Sequence, residues 1–367
     1  MDLSKAYDCL PHGLLIAKLA AYGVDYDSLK FIYSYLTNRT HRVKIGNIFS
    51  SYLGVKLGVP QGSILGPLLF NIFLNDLLLF PRESELCNFA DDNTLFAIAK
   101  TLLEVTKILT VETLDVIQWF DINGLVANSS KFQVMFLGKD TSNISEFLLG
   151  DVILEVSSIV KLLGIYIDNK LQFKDHLDEK CSKASSKIRA LLRIRSYLNL
   201  DTAKALCNAY ILSNFNYCPL IWMRFDKTSN KAIDKVHRRA LAVVYQNIDT
   251  DFNILLFISD SVTFHIRFVR KILEEVFKSL QKISPSFISE IFTPKKSIQN
   301  LRRGLQLSLP STKTVRYGIH SLRFVGSLLW DRLHKDVKNA ESLYVFRNNL
   351  ISLPSNFCTC PLCNNLY

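Results

Sequence analysis

Apolar residues in the first half of the chain recur with two periods, one typical of helices and one typical of strands. Leu14, Leu15 and Leu19 fall on one face of a helix that ends at Gly23. The same spacing recurs in three further segments. The predicted helices are residues 11–22, residues 27–36 with Asp27 as the cap, residues 66–79 and residues 102–120.

Short extended runs separated by turn residues predict two β-hairpins and two further strands. Gly46 and Asn47 form the turn of the first hairpin, and residues 90–93 form the turn of the second. Residues 58–63 are rich in glycine, which allows a backbone to approach a ligand closely. The predicted strands are residues 40–45, 48–56, 86–89, 94–98, 133–137 and 161–167.

Charge is unevenly distributed between the two parts of the chain. The sequence has 44 Lys and Arg against 33 Asp and Glu, and its net charge is +11. Residues 1–150 carry a net charge of −3 and residues 151–367 one of +14. An acidic part that can hold metal ions, joined to a basic part that can follow phosphates, is typical of proteins that handle polynucleotides. Charge that serves solubility alone is the alternative.

Composition excludes several classes of protein. With 49% apolar and 21% charged residues, the 367-residue chain can bury a core, which excludes wholesale disorder. Its eight cysteines are scattered and do not form a disulfide framework. The uncharged runs at 57–75 and 205–223 contain Pro, Asn and Gln, so neither predicts a membrane span, and the first residues do not predict a secretory signal. We therefore expect an intracellular protein, cytoplasmic or nuclear.

The chain changes character after Asp168, where helices rich in Lys and Arg begin. A domain boundary is predicted near residues 168–176. Residues 284–310 contain three prolines and predict a linker before a small C-terminal region.

Asp91 and Asp92 are adjacent at the turn of the second predicted hairpin. Neighbouring carboxylates repel each other and are seldom placed together in an apolar setting without a cation. An exposed acidic turn is the alternative, and the dipeptide alone favours it. A third carboxylate at Asp2 and the glycine-rich loop at residues 58–63 give three motifs in one order, which chance rarely produces.

Those three motifs resemble motifs A, B and C of the reverse transcriptases of non-LTR (LINE-type) retrotransposons. Motif A corresponds to Asp-Leu-Ser-Lys-Ala-Tyr-Asp at residues 2–8, and motif C to Phe-Ala-Asp-Asp at residues 89–92. Motif B corresponds to Gly-Val-Pro-Gln-Gly-Ser at the start of residues 58–70. Residues 124–136 resemble motif D and residues 162–168 motif E. The resemblance extends to the end of the chain.

The resemblance implies an α+β fold of the polymerase right-hand type, in which an antiparallel sheet packed by helices forms the palm. It implies a palm at residues 1–168, a basic helical thumb at residues 169–283, and a linker with a small C-terminal region at residues 284–367. The family's fingers precede motif A, so they are expected to be largely absent. We expect a domain truncated at its N-terminus with little polymerase activity of its own.

The resemblance also implies an RNA-directed DNA polymerase site. Asp2, Asp91 and Asp92 would be the catalytic residues and would hold Mg²⁺ or Mn²⁺, because both prefer carboxylate oxygens. Tyr7, Gln61, Gly62 and Lys131 would contact the deoxynucleoside triphosphate. A core aromatic residue at position 7 and a solvated lysine at position 131 are the alternatives. Asp8 is expected to be structural, as a charge at a helix start.

Basic residues without an intervening acid follow residue 179 and predict a helix that contacts the phosphates of an RNA template and a DNA primer. The predicted nucleic-acid contacts are Lys183, Lys187, Arg189 and Arg193. A catalytically inactive nucleic-acid-binding remnant of such an element is the rival hypothesis. Cys358, Cys360 and Cys363 are one ligand short of a structural zinc site, so no metal is assigned to them.

Overall fold

A computed structural model describes residues 1, 3–138, 144–224, 227–295 and 304–353. The chain divides into two compact units, residues 1–164 and residues 165–367. Helices and strands are mixed in the first unit, and helices dominate the second, so the fold is α+β. Within the described residues, no helix has the length and apolar character needed to cross a membrane.

The first unit contains five α-helices, two short 3-10 helices (Asn75–Leu79 and Ser129–Lys131) and nine strands among its described residues. Its helices are α1 (Ala6–Cys9), α2 (His12–Ala21), α3 (Tyr26–Leu36), α4 (Leu65–Leu74) and α5 (Leu102–Ile122). Its strands are β1 (Arg39–His41), β2 (Lys44–Ile45), β3 (Ile48–Phe49), β4 (Leu53–Val55), β5 (Glu85–Phe89), β6 (Asp92–Phe96), β7 (Glu146–Leu149), β8 (Val152–Glu155) and β9 (Ile159–Leu162).

Side-chain caps explain where several helices begin. Thr101 and Glu104 form a reciprocal capping box at the start of α5. The Asp25 carboxylate accepts a hydrogen bond of 3.0 Å from the backbone N–H of Ser28, so the cap of α3 is Asp25, two residues before the predicted cap Asp27.

The predicted hairpins are present, whereas the two single strands differ from expectation. β2 pairs with β3 and β1 with β4 around Gly46 and Asn47, and β5 pairs with β6. Residues 133–137 do not form a strand, because only Val134 bridges to another segment, at Val156. Positive φ angles at Leu163 (46°) and Gly164 (83°) end β9 within the predicted strand 161–167.

The core of the first unit lies between α2, α4 and α5. Phe70, Phe73 and Phe120 are fully buried there, and Trp119 packs edge-on against Phe73 at 6.4 Å. The Lys18 ammonium group lies 4.4 Å from the Phe73 ring centre and pairs with Asp76 at 2.7 Å. Burial lowers the pKa of Lys18, although Asp76 opposes this effect.

The second unit is helical apart from the strand β10 (Ile165–Asp168). Trp222, Phe268 and Phe277 are buried in its core, together with Phe292 and Leu307 from the stretch predicted as a linker. Its helices are α6 (Lys174–Ile194), α7 (Leu200–Leu206), α8 (Lys227–Tyr245), α9 (Phe252–Ile258), α10 (Phe264–Leu280), α11 (Ser286–Ser289), α12 (Leu322–Arg332), α13 (Lys335–Lys338) and α14 (Leu343–Ile351).

Candidate active site

The carboxylates of Asp91 and Asp92 lie at the tip of the β5–β6 hairpin. Phe89 pairs with Asp92, so the turn consists of Ala90 and Asp91, and Ala90 has a φ of 54°. Asn93 is buried and its side-chain amide donates a hydrogen bond of 3.0 Å to the Asp91 carbonyl. Asp91 is half-buried and Asp92 is exposed. The turn thus presents two carboxylates on a backbone held by a buried amide.

The start of the chain lies along this hairpin. The Met1 amino group donates a hydrogen bond of 2.6 Å to the Asn93 carbonyl, and the Asn93 N–H donates one of 3.2 Å to the Met1 carbonyl. Leu3 bridges to Ala127. Residues 1 and 3 therefore link the segment after the Asp91–Asp92 turn to residues 126–127. Asp2 itself lies outside the described residues.

Tyr7 belongs to motif A, five residues after Asp2. Its ring stacks on Phe70 with the ring centres 4.4 Å apart. Burial and the negative charge of Asp91 raise the pKa of the Tyr7 hydroxyl. Tyr7 therefore joins the core on one side and feels the charge of Asp91, so the core-aromatic alternative and the site position are compatible.

The loop of residues 58–63 is tied directly to α1. The Val59 N–H donates a hydrogen bond of 2.8 Å to the Tyr7 carbonyl, and the Gly58 N–H donates one of 2.8 Å to the Leu10 carbonyl. Buried His12 forms a hydrogen bond of 2.7 Å with the Gly58 carbonyl. These bonds fix the loop against the segment that carries Tyr7. His12 was not predicted from the sequence as part of the site.

Gln61 and Gly62 lie at the exposed end of this loop. The Gln61 amide donates a hydrogen bond of 2.8 Å to Asp8 Oδ1, so Asp8 orients a predicted substrate contact besides lying in the first turn of α1. Gly62 has a φ of 79° and no other atom within 4 Å of the position that a Cβ would occupy. The backbone there is open to a bound molecule.

Lys131 lies on a separate segment of the first unit. It ends the helical turn Ser129–Lys131 and is exposed. That turn follows residues 126–127, which pair with the start of the chain: the Ser4 N–H donates a hydrogen bond of 2.9 Å to the Val126 carbonyl.

Glu112 anchors the hairpin that carries the two aspartates. It is a buried residue of α5, and its carboxylate accepts backbone hydrogen bonds from Arg82, Glu83 and Ser84 at 2.6–2.9 Å, as well as one from the Ser84 hydroxyl. Burial alone would raise the pKa of Glu112, but these hydrogen bonds lower it below its ordinary value. Glu112 fixes the segment that enters β5.

The predicted phosphate contacts of the second unit lie on α6. Arg189 and Arg193 are exposed one helical turn apart. Lys183 is exposed and pairs with Glu179, and Lys187 Nζ donates a hydrogen bond of 3.3 Å to Asn214. Arg195, just beyond the helix, is buried and donates hydrogen bonds of 2.8 Å to the carbonyls of Val244 and Leu198.

Cysteines and metal-binding clusters add no further site among the described residues. The cysteines described are free thiols, and burial raises the pKa of Cys181 to about 11 and of Cys207 to about 12. No group of three His, Cys, Asp or Glu side chains suited to a metal ion occurs within the described ranges. Asp2, Cys358, Cys360 and Cys363 lie outside those ranges.

Comparison with known proteins identifies the class. A family model described as reverse transcriptase (RNA-dependent DNA polymerase) matches residues 1–167. A protein named as the probable RNA-directed DNA polymerase from transposon BS of Drosophila melanogaster is 29% identical over 265 residues, which cover 66% of this chain and 28% of that protein. This share of the chain exceeds residues 1–167, so the similarity continues into the second unit.

Two other relatives are similar. The RNA-directed DNA polymerase from mobile element jockey of Drosophila melanogaster is 28% identical over 48% of this chain and 20% of that protein. The retrovirus-related Pol polyprotein from type-1 retrotransposable element R1 2 of Nasonia vitripennis is 26% identical over 45% of this chain and 43% of that protein. The chain spans less than half the length of each of these relatives.

Residues 1–167 therefore match the reverse transcriptase family, and the similarity to a transposon RNA-directed DNA polymerase extends beyond them. The relatives named above belong to the non-LTR retrotransposons that motifs A, B and C resemble.

Proposed function

We propose that the first unit catalyses RNA-directed DNA synthesis, with Asp2, Asp91 and Asp92 as the catalytic carboxylates. The observation that carries the proposal is the pairing of Met1 with Asn93. It links the residue before Asp2 to the residue after Asp92. The residue just before motif A therefore pairs with the residue just after motif C, although the two motifs are far apart in sequence.

The donor chemistry of these residues fits Mg²⁺ or Mn²⁺. Both ions take oxygen ligands, and the adjacent carboxylates of Asp91 in the turn and Asp92 at the start of β6 offer such ligands. When bound, divalent ions supply charge neutralisation at the reacting phosphate and activation of the primer hydroxyl. The protein contributes a turn held by Asn93 and an entry segment held by Glu112.

Tyr7, Gln61, Gly62 and Lys131 are proposed to bind the incoming deoxynucleoside triphosphate. The stacking of Tyr7 on Phe70 holds its ring rigid, as a residue that selects the sugar must be. Gln61 is oriented by Asp8 and Gly62 leaves its backbone open. Lys131 is exposed and carries the charge expected of a triphosphate contact.

The domain boundaries and the nucleic-acid contacts of α6 are also proposals. We propose a palm at residues 1–168, a thumb at residues 169–283 and a C-terminal region at residues 284–367. The exposed basic side chains of α6 support binding of the RNA template and DNA primer, because phosphate contacts come from such residues.

Primer extension tests the activity. The chain is incubated with an RNA template, a DNA primer and deoxynucleoside triphosphates, in Mg²⁺ and separately in Mn²⁺. Asp91→Asn should lower the extension rate at least about 100-fold, because it removes charge where the reaction needs it. Asp115→Asn, which changes an exposed carboxylate of α5, should leave the rate within about twofold.

Metal-dependent cleavage of the protein backbone does not require turnover. It therefore distinguishes a slow enzyme with the proposed metal site from a chain in which these residues hold no metal. Fe²⁺ in place of Mg²⁺, with ascorbate and peroxide, should cleave the backbone near residues 2 and 91, and Asp91→Asn should abolish that cleavage. Template–primer binding without extension and without cleavage at these residues would favour the nucleic-acid-binding remnant over the polymerase.

A further inference from the structure

Residues 28–75 form a basic stretch inside an acidic part of the chain. They contain no Asp or Glu and five Lys and Arg, although residues 1–150 carry a net charge of −3. Arg39, Arg42, Lys44 and Lys56 lie within the β1–β4 region, residues 39–56, which we call the basic hairpin. This concentration of positive charge is separate from the basic helix α6 of the second unit.

Aromatic rings and cations share the surface of the basic hairpin. Phe49 and Tyr52 are 44% and 62% exposed. Arg42 Cζ lies 3.9 Å from the Phe49 ring centre and 4.7 Å from that of Tyr52, and Lys44 Nζ lies 5.3 Å from that of Phe49. Exposed rings that already hold cations form a surface for stacking and for negative charge at once.

A groove connects the basic hairpin to the loop of residues 58–63. It has a volume of about 730 Å³ and is lined by β1, by β4 and the residues after it, and by Lys5 and Asp8 at α1. Lys5, Arg39, His41 and Lys56 supply positive or titratable groups to this groove, and Asp8 supplies a negative one. Basic groups are thus continuous from the hairpin surface to the segment that carries Gln61.

We propose that the basic hairpin binds a single-stranded polynucleotide, with bases stacked on Phe49 and Tyr52 and phosphates contacting Arg39, Lys44 and Lys56. The bases of a duplex are stacked on one another and cannot lie on a protein ring, whereas single-stranded bases can. In a single strand each base is attached next to a phosphate, so cations beside the rings can contact phosphates while the rings stack the bases. Binding at this surface does not require the catalysis proposed above.

The opposite face of the hairpin offers the matched control. Lys44 pairs with Phe49 and Ile45 with Ile48, so strand alternation places the two isoleucines on the other face. They are 76% and 78% exposed. A protein partner or a second copy of this chain would use these apolar side chains, whereas a polynucleotide would use the rings and cations.

Fluorescence anisotropy with labelled 15-nucleotide oligo(U) and oligo(dT) tests the proposal on the full chain, without divalent metal. The double variant Phe49→Leu, Tyr52→Leu should weaken binding at least about 10-fold, because each ring that stacks a base contributes about 5- to 100-fold. Tyr26→Leu with Phe31→Leu on α3 and Ile45→Ser with Ile48→Ser should change affinity less than about twofold. The two oligonucleotides distinguish RNA from DNA as the preferred strand.

Salt dependence tests the phosphate contacts. Arg39→Gln with Lys56→Gln should lower the slope of log affinity against log salt by about one to two. Lys30→Gln with Lys107→Gln, which neutralises exposed lysines of α3 and α5, should leave the slope unchanged.

Cross-linking locates the bound strand. A 4-thiouridine-labelled oligo(U) irradiated with the full chain should attach to peptides from residues 39–56. Cross-links confined to the second unit, or unchanged affinity of the ring variant, would overturn the proposal. Sedimentation measures self-association of the Ile45→Ser, Ile48→Ser variant. If that variant no longer self-associates, and the ring variant still binds the oligonucleotide normally, the hairpin is a contact between copies of the chain. Asp91→Asn should bind the oligonucleotide normally, so failed catalysis and failed binding are distinguishable.

Discussion

Gly58 lies against the backbone of Asp8 so closely that a Cβ added to the glycine would be 2.6 Å from the Asp8 Cα. The glycine also has a φ of 82°, in the left-handed region that side chains rarely adopt. The sequence indicates a close backbone approach at this loop but assigns it to a ligand. In the structure, the partner of Gly58 is the segment that carries Tyr7 and Asp8.

Gly58→Ala should therefore destabilise the first unit by about 2–5 kcal/mol, since it combines left-handed strain with a clash against backbone atoms. Urea unfolding followed by circular dichroism measures the loss. Gly46→Ala should cost only about 1–2 kcal/mol, because Gly46 also has a positive φ (61°) but nothing within 4 Å of its added Cβ. Equal losses at the two positions would show that the contact with Asp8 is unimportant.

Glu112→Ala should destabilise the first unit by about 3 kcal/mol. The substitution leaves three backbone N–H groups, those of Arg82, Glu83 and Ser84, without their acceptor. Urea unfolding at pH 7 measures the effect. Glu104→Ala, which removes an exposed carboxylate of the capping box from the same helix, should cost about 1 kcal/mol or less.

The pH dependence of this anchor follows from its pKa. The hydrogen bonds hold the pKa of Glu112 below its ordinary value of 4.5. Ionised Glu112 therefore adds to the free energy of unfolding above pH 4.5, and this stabilisation is lost as the pH falls through the lowered pKa. Unfolding curves of the wild-type chain and Glu112→Ala should therefore converge in acid. A constant difference down to pH 2 would contradict this origin.

Buried His237 should make the second unit less stable in mild acid. Its ring is fully buried between Phe252 and Phe264, and burial followed by the charge of Arg267 lowers its pKa to about 3. The unfolded chain binds a proton near pH 6.5 and the folded chain does not, so stability falls as the pH drops below 6.5. Between pH 6.5 and pH 5 the loss is about 2 kcal/mol.

His237→Phe should flatten that pH profile. Neither ring nitrogen of His237 has a hydrogen-bond partner within the described part of the chain, so a phenyl ring sacrifices no such bond. Thermal unfolding between pH 5 and pH 7 is the measurement. His41→Gln, which changes an exposed histidine, should keep the wild-type profile. The stability of His237→Phe should still depend weakly on pH, because burial also lowers the pKa of His176.

Local patterns predicted much of the first unit, because helix and hairpin signals are contained in a few neighbouring residues. The β5–β6 hairpin was predicted from two short apolar runs and the polar residues between them, but its turn is Ala90 and Asp91 and not the whole of residues 90–93. Residues 133–137 have the apolar character of a strand, but in the structure only Val134 finds a bridging partner. Strand formation depends on pairing with distant residues, which a local pattern does not contain.

Glu112 shows which part of the site was missed and how it could have been found. It shares a helical face with Val116 and Trp119, at positions i, i+4 and i+7, and all three are buried. A carboxylate on an apolar stripe requires a hydrogen-bonded partner, which makes Glu112 a candidate anchor. Its acceptance of N–H groups from the segment before β5 is a tertiary contact, 28 or more residues away in sequence, and only the structure shows it.

The basic residues at the end of α6 should divide into binding and structural groups. Arg189→Ala with Arg193→Ala removes two exposed charges and should lower the salt slope of RNA–DNA duplex binding by about two, with little effect on stability.

Arg195→Ala should act through stability instead. Its guanidinium donates to the carbonyls of Val244 and Leu198, and the loss of both bonds should cost about 2–3 kcal/mol. Lys183 should contribute less to the slope than either exposed arginine, because it is already paired with Glu179, and that hydrogen bond raises its pKa. Glu179→Gln should then increase the slope by freeing Lys183 for a phosphate. The opposite result would contradict this division: an unchanged salt slope of duplex binding in Arg189→Ala with Arg193→Ala, and a lower slope in Arg195→Ala with no loss of stability. Arg195 would then be the phosphate contact, and the two exposed arginines would not.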